Sequence, residues 1–124
     1  MTVFKVSKQF TNLPGGRYRK HGEGSGEELR DDYLLPLIDK LPEGEKLTVD
    51  LSDTMGCCAS MLEETFGGLV RRRGEEVVGK VEVVSDDEEE IEKANQFMRE
   101  QVERGGVETD ENWTEKKDNK KKRK

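Results

Sequence analysis

The chemistry-bearing residues with the most suggestive spacing lie in the run Met55-Gly56-Cys57-Cys58-Ala59-Ser60, between an apolar alternating pattern and a helical one. A thiol at the start of a helix has its pKa lowered by the amides gathered there, the arrangement used by several nucleophilic and redox sites. The neighbouring residues argue against that use. A phosphatase-type loop needs an arginine past the cysteine to hold an oxyanion, and Glu63 and Glu64 stand there instead. No Cys-x-x-Cys spacing occurs, and His21, the single histidine, lies in a glycine-rich stretch with no evident orienting carboxylate. The chain is therefore expected not to be an enzyme, and the two cysteines are expected to be half-buried turn residues sensitive to oxidation.

A second candidate is the stretch from Pro14 to Gly26, in which five glycines accompany Arg17, Arg19 and Lys20 ahead of Ser25. Glycines leading into a helix start, with cations beside them, could hold a phosphate or carboxylate, so Arg17, Arg19, Lys20 and Ser25 form a candidate anion or nucleotide site. The spacing matches neither a Walker A loop nor a dinucleotide fingerprint, and Glu23, Glu27 and Glu28 oppose an anion. A mobile surface loop or a protein interface suits the same residues. Asp50 and Asp53 flank a strand end, but two carboxylates without further oxygen donors are better read as turn caps than as a metal site. The sequence implies no metal and no cofactor.

The elements that must position these residues follow an alternating β/α beat. Leu47, Val49 and Leu51 have the two-residue period of a strand, and Thr2–Lys8 and Lys80–Val84 are further strands, with Val77 and Val78 extending or preceding the last. Three Ser-x-x-Glu boxes, Ser25/Glu28, Ser60/Glu63 and Ser85/Glu88, each predict a helix start. The first helix carries Leu29, Tyr33, Leu34, Leu37, Ile38 and Leu41, with Pro36 expected to bend or end it. The second carries Met61, Leu62, Thr65, Phe66, Leu69 and Val70, interrupted by Gly67-Gly68, where each glycine costs roughly 1 kcal/mol relative to alanine. Retaining both suggests a close approach to the sheet or to a partner. The third offers Ile91, Ala94, Met98 and Val102 after an acidic first turn that suits the helix dipole. The expected fold is α/β: a small mixed sheet of three to four strands, central strands parallel, with about three helices mainly on one face.

Pro14-Gly15-Gly16-Arg17-Tyr18, Ser25-Gly26-Glu27-Glu28-Leu29-Arg30, the strand Val49-Asp50-Leu51 and above all the run from Ser60 to Leu69 give the chain a family resemblance. Over roughly residues 14 to 103 it resembles the STAS-like domain of unknown function of bacteria and their phages, a relative of the anti-sigma-factor-antagonist fold. The resemblance implies a small, non-catalytic regulatory module that binds a protein partner, a kinase-like signalling ATPase in the best-known relatives, and is switched by serine phosphorylation at this helix start. The relatives usually carry two adjacent serines where this chain has Ala59 and Ser60. The phosphoacceptor role then falls to Ser60, whose alternative role is a plain N-cap. On this reading the partner-binding residues are Met55, Gly56, Cys57, Cys58, Ala59, Ser60, Met61 and Glu64, with Arg17 and Arg19 contributing from the loop.

Composition agrees with one small domain. Of 124 residues, 31% are hydrophobic and 40% charged, which leaves little material for a deep core. The longest apolar run, Tyr33 to Ile38, is too short to span a bilayer, and the two cysteines make no disulfide framework, so a cytoplasmic location with no membrane contact is expected. Charge divides the chain into a domain over residues 1–104 and a tail over 105–124. Residues 116–124 carry about +6 of a total of −6, leaving the rest near −12. An acidic domain repels phosphates, so nucleic acid is expected to be bound weakly and only through the basic tail, itself expected to be disordered.

Overall fold

The computed structural model describes residues 2–105. The expected tail, residues 105–124, lies outside them apart from Gly105. Three strands, β1 (Thr2–Lys5), β2 (Leu47–Asp50) and β3 (Val81–Val84), form a sheet in the order β1-β2-β3 with both pairings parallel. An antiparallel member, which a mixed sheet would add, does not occur among the described residues. The register aligns Phe4, Val49 and Val83 in one row and Thr2, Leu47 and Val81 in another. These side chains face the helices, while Val3 and Glu82 are exposed on the opposite face.

Parallel neighbours require crossover connections, and helices supply them. The first strand is expected to reach Lys8 but stops at Lys5, where the chain turns into a short helix, α1 (Val6–Gln9). The first crossover helix, α2, covers residues 26–39 and runs through Pro36. Its turn Leu29–Leu34 is wound as a π-helix, and the wider turn accommodates the proline ring and its missing donor without ending the helix. Tyr33 of this helix wedges between Phe4 and Phe10, at centroid distances of 5.8 and 5.0 Å, and fixes it on β1.

The second crossover helix, α3, covers residues 59–73 and also has a π turn, Glu63–Gly67. Its expected apolar residues Met61, Leu62, Phe66, Leu69 and Val70 are all in the core. Val77 and Val78 are not part of a strand: Gly74, at φ +93°, breaks α3, and Glu75–Gly79 forms a 3₁₀ turn that buries Val77 and exposes Val78. The last helix, α4 (Glu88–Glu103), packs along the π turn of α3 with Ala94 and Met98 buried. Among the described residues no helix is long and apolar enough to cross a membrane.

Candidate functional site

Strand carboxyl ends in a parallel sheet face loops whose geometry the core does not dictate, and ligand sites concentrate there. Here β2 feeds the turn from Leu51 to Cys58, and β3 feeds the turn from Ser85 to Asp87. Gly56 takes φ +115°, a conformation that strains any residue with a Cβ, and exposes the turn's crest. Met55 at that crest is 75% exposed. Between the two turns lies a cleft of about 380 Å³ lined by Gly56, Cys57, Cys58, Ala59, Leu62, Asp87, Glu89, Glu90 and Lys93. Four residues expected at a partner site, Gly56 to Ala59, therefore share one concave surface, with Met55 on the same turn.

The helix starts differ from the boxes read in the sequence. Only Ser25 caps as expected: its hydroxyl accepts from the Glu28 amide at 3.0 Å, and the Glu28 carboxylate accepts from Gly24 rather than from Ser25 itself. α3 begins two residues earlier than expected, with Cys58 at the N-cap, and Ser60 is inside the helix. Glu63 does not close a box with Ser60, because Arg71 and Arg17 hold its carboxylate. α4 is capped by Asp87, whose side chain accepts from the Glu89 amide at 3.0 Å. Ser85 instead donates to Glu90 at 2.9 Å and accepts from the Asp87 amide.

The two thiols diverge. Burial, reinforced by the charge of Glu90, pushes the Cys57 thiol up to about 12. Cys58 is exposed; its partial burial acts upward, but the Ser60 hydroxyl at 3.4 Å and the amides of the helix start outweigh it and hold the thiol below its usual value. The Cys57 amide donates to Glu90 at 2.9 Å, joining the β2 turn to α4.

Met61 and Glu64, both expected to face a partner, are buried at 0% and 1% exposure. Met61 is core. Glu64 lies between α2 and α3, where Arg30 reaches it at 2.5 Å, Arg17 at 3.2 Å and Arg71 at 3.6 Å. Arg30 is itself held by a two-point contact with Asp31. The glycine pair makes room for this network: a Cβ on Gly68 would stand 2.7 Å from the Arg30 guanidinium and 2.8 Å from its Cδ. The close approach is thus to Arg30 of α2 and not to the sheet. Reversing the charge of Glu64 would place a cation among three arginines, so the change would act on folding rather than on a surface contact.

The residues of the candidate anion site do not converge. Arg17 turns to Glu63 and Glu64, Arg19 makes a two-point contact with Asp32, and Lys20 lies 5.7 Å over the Tyr18 ring. Ser25 is fully buried as a cap. The amides of Gly26 and Glu27, which would meet an anion at the start of α2, already donate to Gly16 and Arg17 carbonyls. The glycine-rich loop is thereby laced to α2 and, through Cys58 Sγ against the Gly15 carbonyl at 3.7 Å, to the start of α3. Sequence reasoning missed Leu13, 62% exposed beside this loop, and Glu90, a buried carboxylate within the acidic first turn of α4. Among the described residues no group of three or more His, Cys, Asp or Glu side chains could hold a metal.

No curated protein and no solved structure matches the chain. A family model, described as a STAS-like domain of unknown function, matches residues 25–90, more than half of the chain. That segment contains α2, the glycine pair with Arg30, Glu63, Glu64 and Arg71 of the network it admits, all of β2 and β3, and the cleft lining apart from Lys93. The fold and the match together establish that the chain belongs to the family of STAS-like domains of unknown function.

Proposed function

We propose that this domain is a non-catalytic regulatory module that docks a protein partner through the turn Met55–Cys58, the start of α3 and the adjoining cleft. The observation that carries this reading is the contrast within one stretch of ten residues: Met61 and Glu64 are consumed by the fold, while Met55, Gly56, Cys58 and Ala59 remain exposed at the strand ends. Large apolar side chains held out in water on a braced turn are typical of interaction surfaces.

Ser60 is the proposed point of control. It is partly exposed, and the N-cap position belongs to Cys58, so phosphorylation would cost the helix no cap. A phosphate there would meet the positive end of α3 and lie close to Cys58, changing the charge of the docking surface. The proposed partner is a protein kinase-like ATPase acting in the cytoplasm. Affinity co-purification of the full chain from its native cell, with mass spectrometry of the bound proteins and of Ser60, tests both parts. Recovery of a specific ATPase with wild-type protein, but not with Met55→Ser, supports the docking reading, and added phosphate on Ser60 supports the switch. Identical recoveries with both proteins contradict the docking site.

A further inference from the structure

We infer that Leu13, Met55 and the acidic cleft beside them form one docking surface whose occupant is a partner segment that pairs an aliphatic side chain with a lysine or arginine. This rests on the protein-interaction reading above and names the chemistry of the partner.

The apolar half of the argument is a juxtaposition that the sequence does not advertise. Leu13 and Met55 are 62% and 75% exposed, two of four large hydrophobic side chains left exposed among the described residues. The Met55 amide donates to the Asn12 carbonyl at 2.8 Å, so the two loops that carry them run side by side. A paired apolar crest of this kind gains from coverage in a way that a solitary exposed leucine does not.

The polar half is the charge of the cleft. Glu90 is only 7% exposed, and its two oxygens accept from the Cys57 amide and the Ser85 hydroxyl, each at 2.9 Å. It forms no ion pair among the described residues, whereas Glu63, Glu64 and Asp31 are each met by arginine. A carboxylate held only by neutral donors keeps its charge uncompensated, so a cation brought to the cleft has an opposite charge to meet there. Asp87 and Glu89 add two negative charges at the rim against one positive, Lys93. Part of this charge offsets the amides at the starts of α3 and α4, yet the balance stays negative and repels an anionic occupant. A second copy of this chain would bring the same acids face to face, and the whole chain carries −6.

The test is amide-resolved NMR on the full ¹⁵N-labelled chain at about 0.15 M ionic strength, where long-range attraction between exposed charges is screened. The probes are a short peptide of alternating leucine and lysine and its leucine–glutamate counterpart. The lysine peptide is expected to shift Leu13, Met55, Cys57 and Glu89, and to bind roughly tenfold more weakly to Met55→Ser and to Glu89→Lys. Both substituted positions are exposed, and unchanged spectra elsewhere verify that the variants fold. Equal binding of the glutamate peptide at these residues, or indifference to Met55→Ser, overturns the aliphatic–basic chemistry while leaving a docking site in place. Cleft shifts in the free chain that vanish when the lysines and arginine of residues 116–124 become glutamine would assign the surface to the chain's own basic segment and overturn the partner assignment. If neither peptide perturbs the surface and Met55→Ser loses no cellular partner, the docking reading itself fails.

Discussion

Between α2 and α3, Glu64 is met by Arg17, Arg30 and Arg71; in the strand-end cleft Glu90, also buried, is met by an amide and a hydroxyl. The first arrangement is closed: each charge has its opposite, and glycines admit the long side chains that bring it. The second is open, with two further acids at its rim and an exposed methionine beside it. One chemical vocabulary thus does two jobs. Saturated charge holds elements together, and unsaturated charge at a concave surface is available to something else.

The comparison breaks most visibly if Glu64 can be removed without consequence. Glu64→Ala leaves three arginines facing a cavity and is expected to cost about 3–5 kcal/mol, read from urea unfolding with the midpoint and slope both reported. A loss under about 1 kcal/mol would mean that the network is decoration. Gly68→Ala is the next test, at about 1–3 kcal/mol, because Arg30 is pinned by Asp31 and Glu64 and cannot swing away from the added methyl. Removing the obstacle should remove the cost: in an Arg30→Ala background, which deletes both the guanidinium and the Cδ, the same glycine change should be nearly neutral, a coupling that a double-mutant cycle measures.

Acid sharpens the same contrast. Burial acts to raise the Glu63 carboxyl, but Arg71 and then Arg17 overcome it and hold it below its ordinary value of 4.5. A group with a depressed folded-state pKa contributes stability that is full above its unfolded value and drains away as pH falls through the folded one. The melting temperature should therefore hold down to about pH 4.5 and then fall. A carboxylate-to-glutamine change at Glu63 should flatten that slope. No acid-side slope in the wild type would contradict the network's role.

How much of this was legible depends on how far apart the interacting residues lie. The alternation Leu47, Val49, Leu51 and the helical spacing of Phe66, Leu69 and Val70 are local patterns, and both elements formed where those patterns predict them. Glu64 stands among apolar neighbours on α3, but its partners Arg30 and Arg17 are 34 and 47 residues away in sequence, so its burial could not be read locally. Glu63 was taken from its expected box by Arg17, 46 residues away, together with Arg71 on its own helix. Leu13 and Met55 were brought together by one backbone hydrogen bond, which no residue pattern signals.

In the cleft, the smaller expected effects are chemical. Cys58 should react with a maleimide at neutral pH roughly tenfold or more faster than Cys57, whose thiol is held up near 12, and Cys58→Ser should abolish the fast phase. Equal rates would show that the turn opens. Met55→Ser should change folding stability by no more than about 0.5 kcal/mol, since its side chain packs on little.

The most direct test of the division between a closed helix interface and an open docking end is photo-crosslinking in the native cell, with a photoreactive residue placed at position 55 or, as control, at exposed position 78. The account predicts one discrete crosslinked protein from position 55 and none from position 78. A discrete product from position 78, with none from position 55, would place the working surface elsewhere and contradict it.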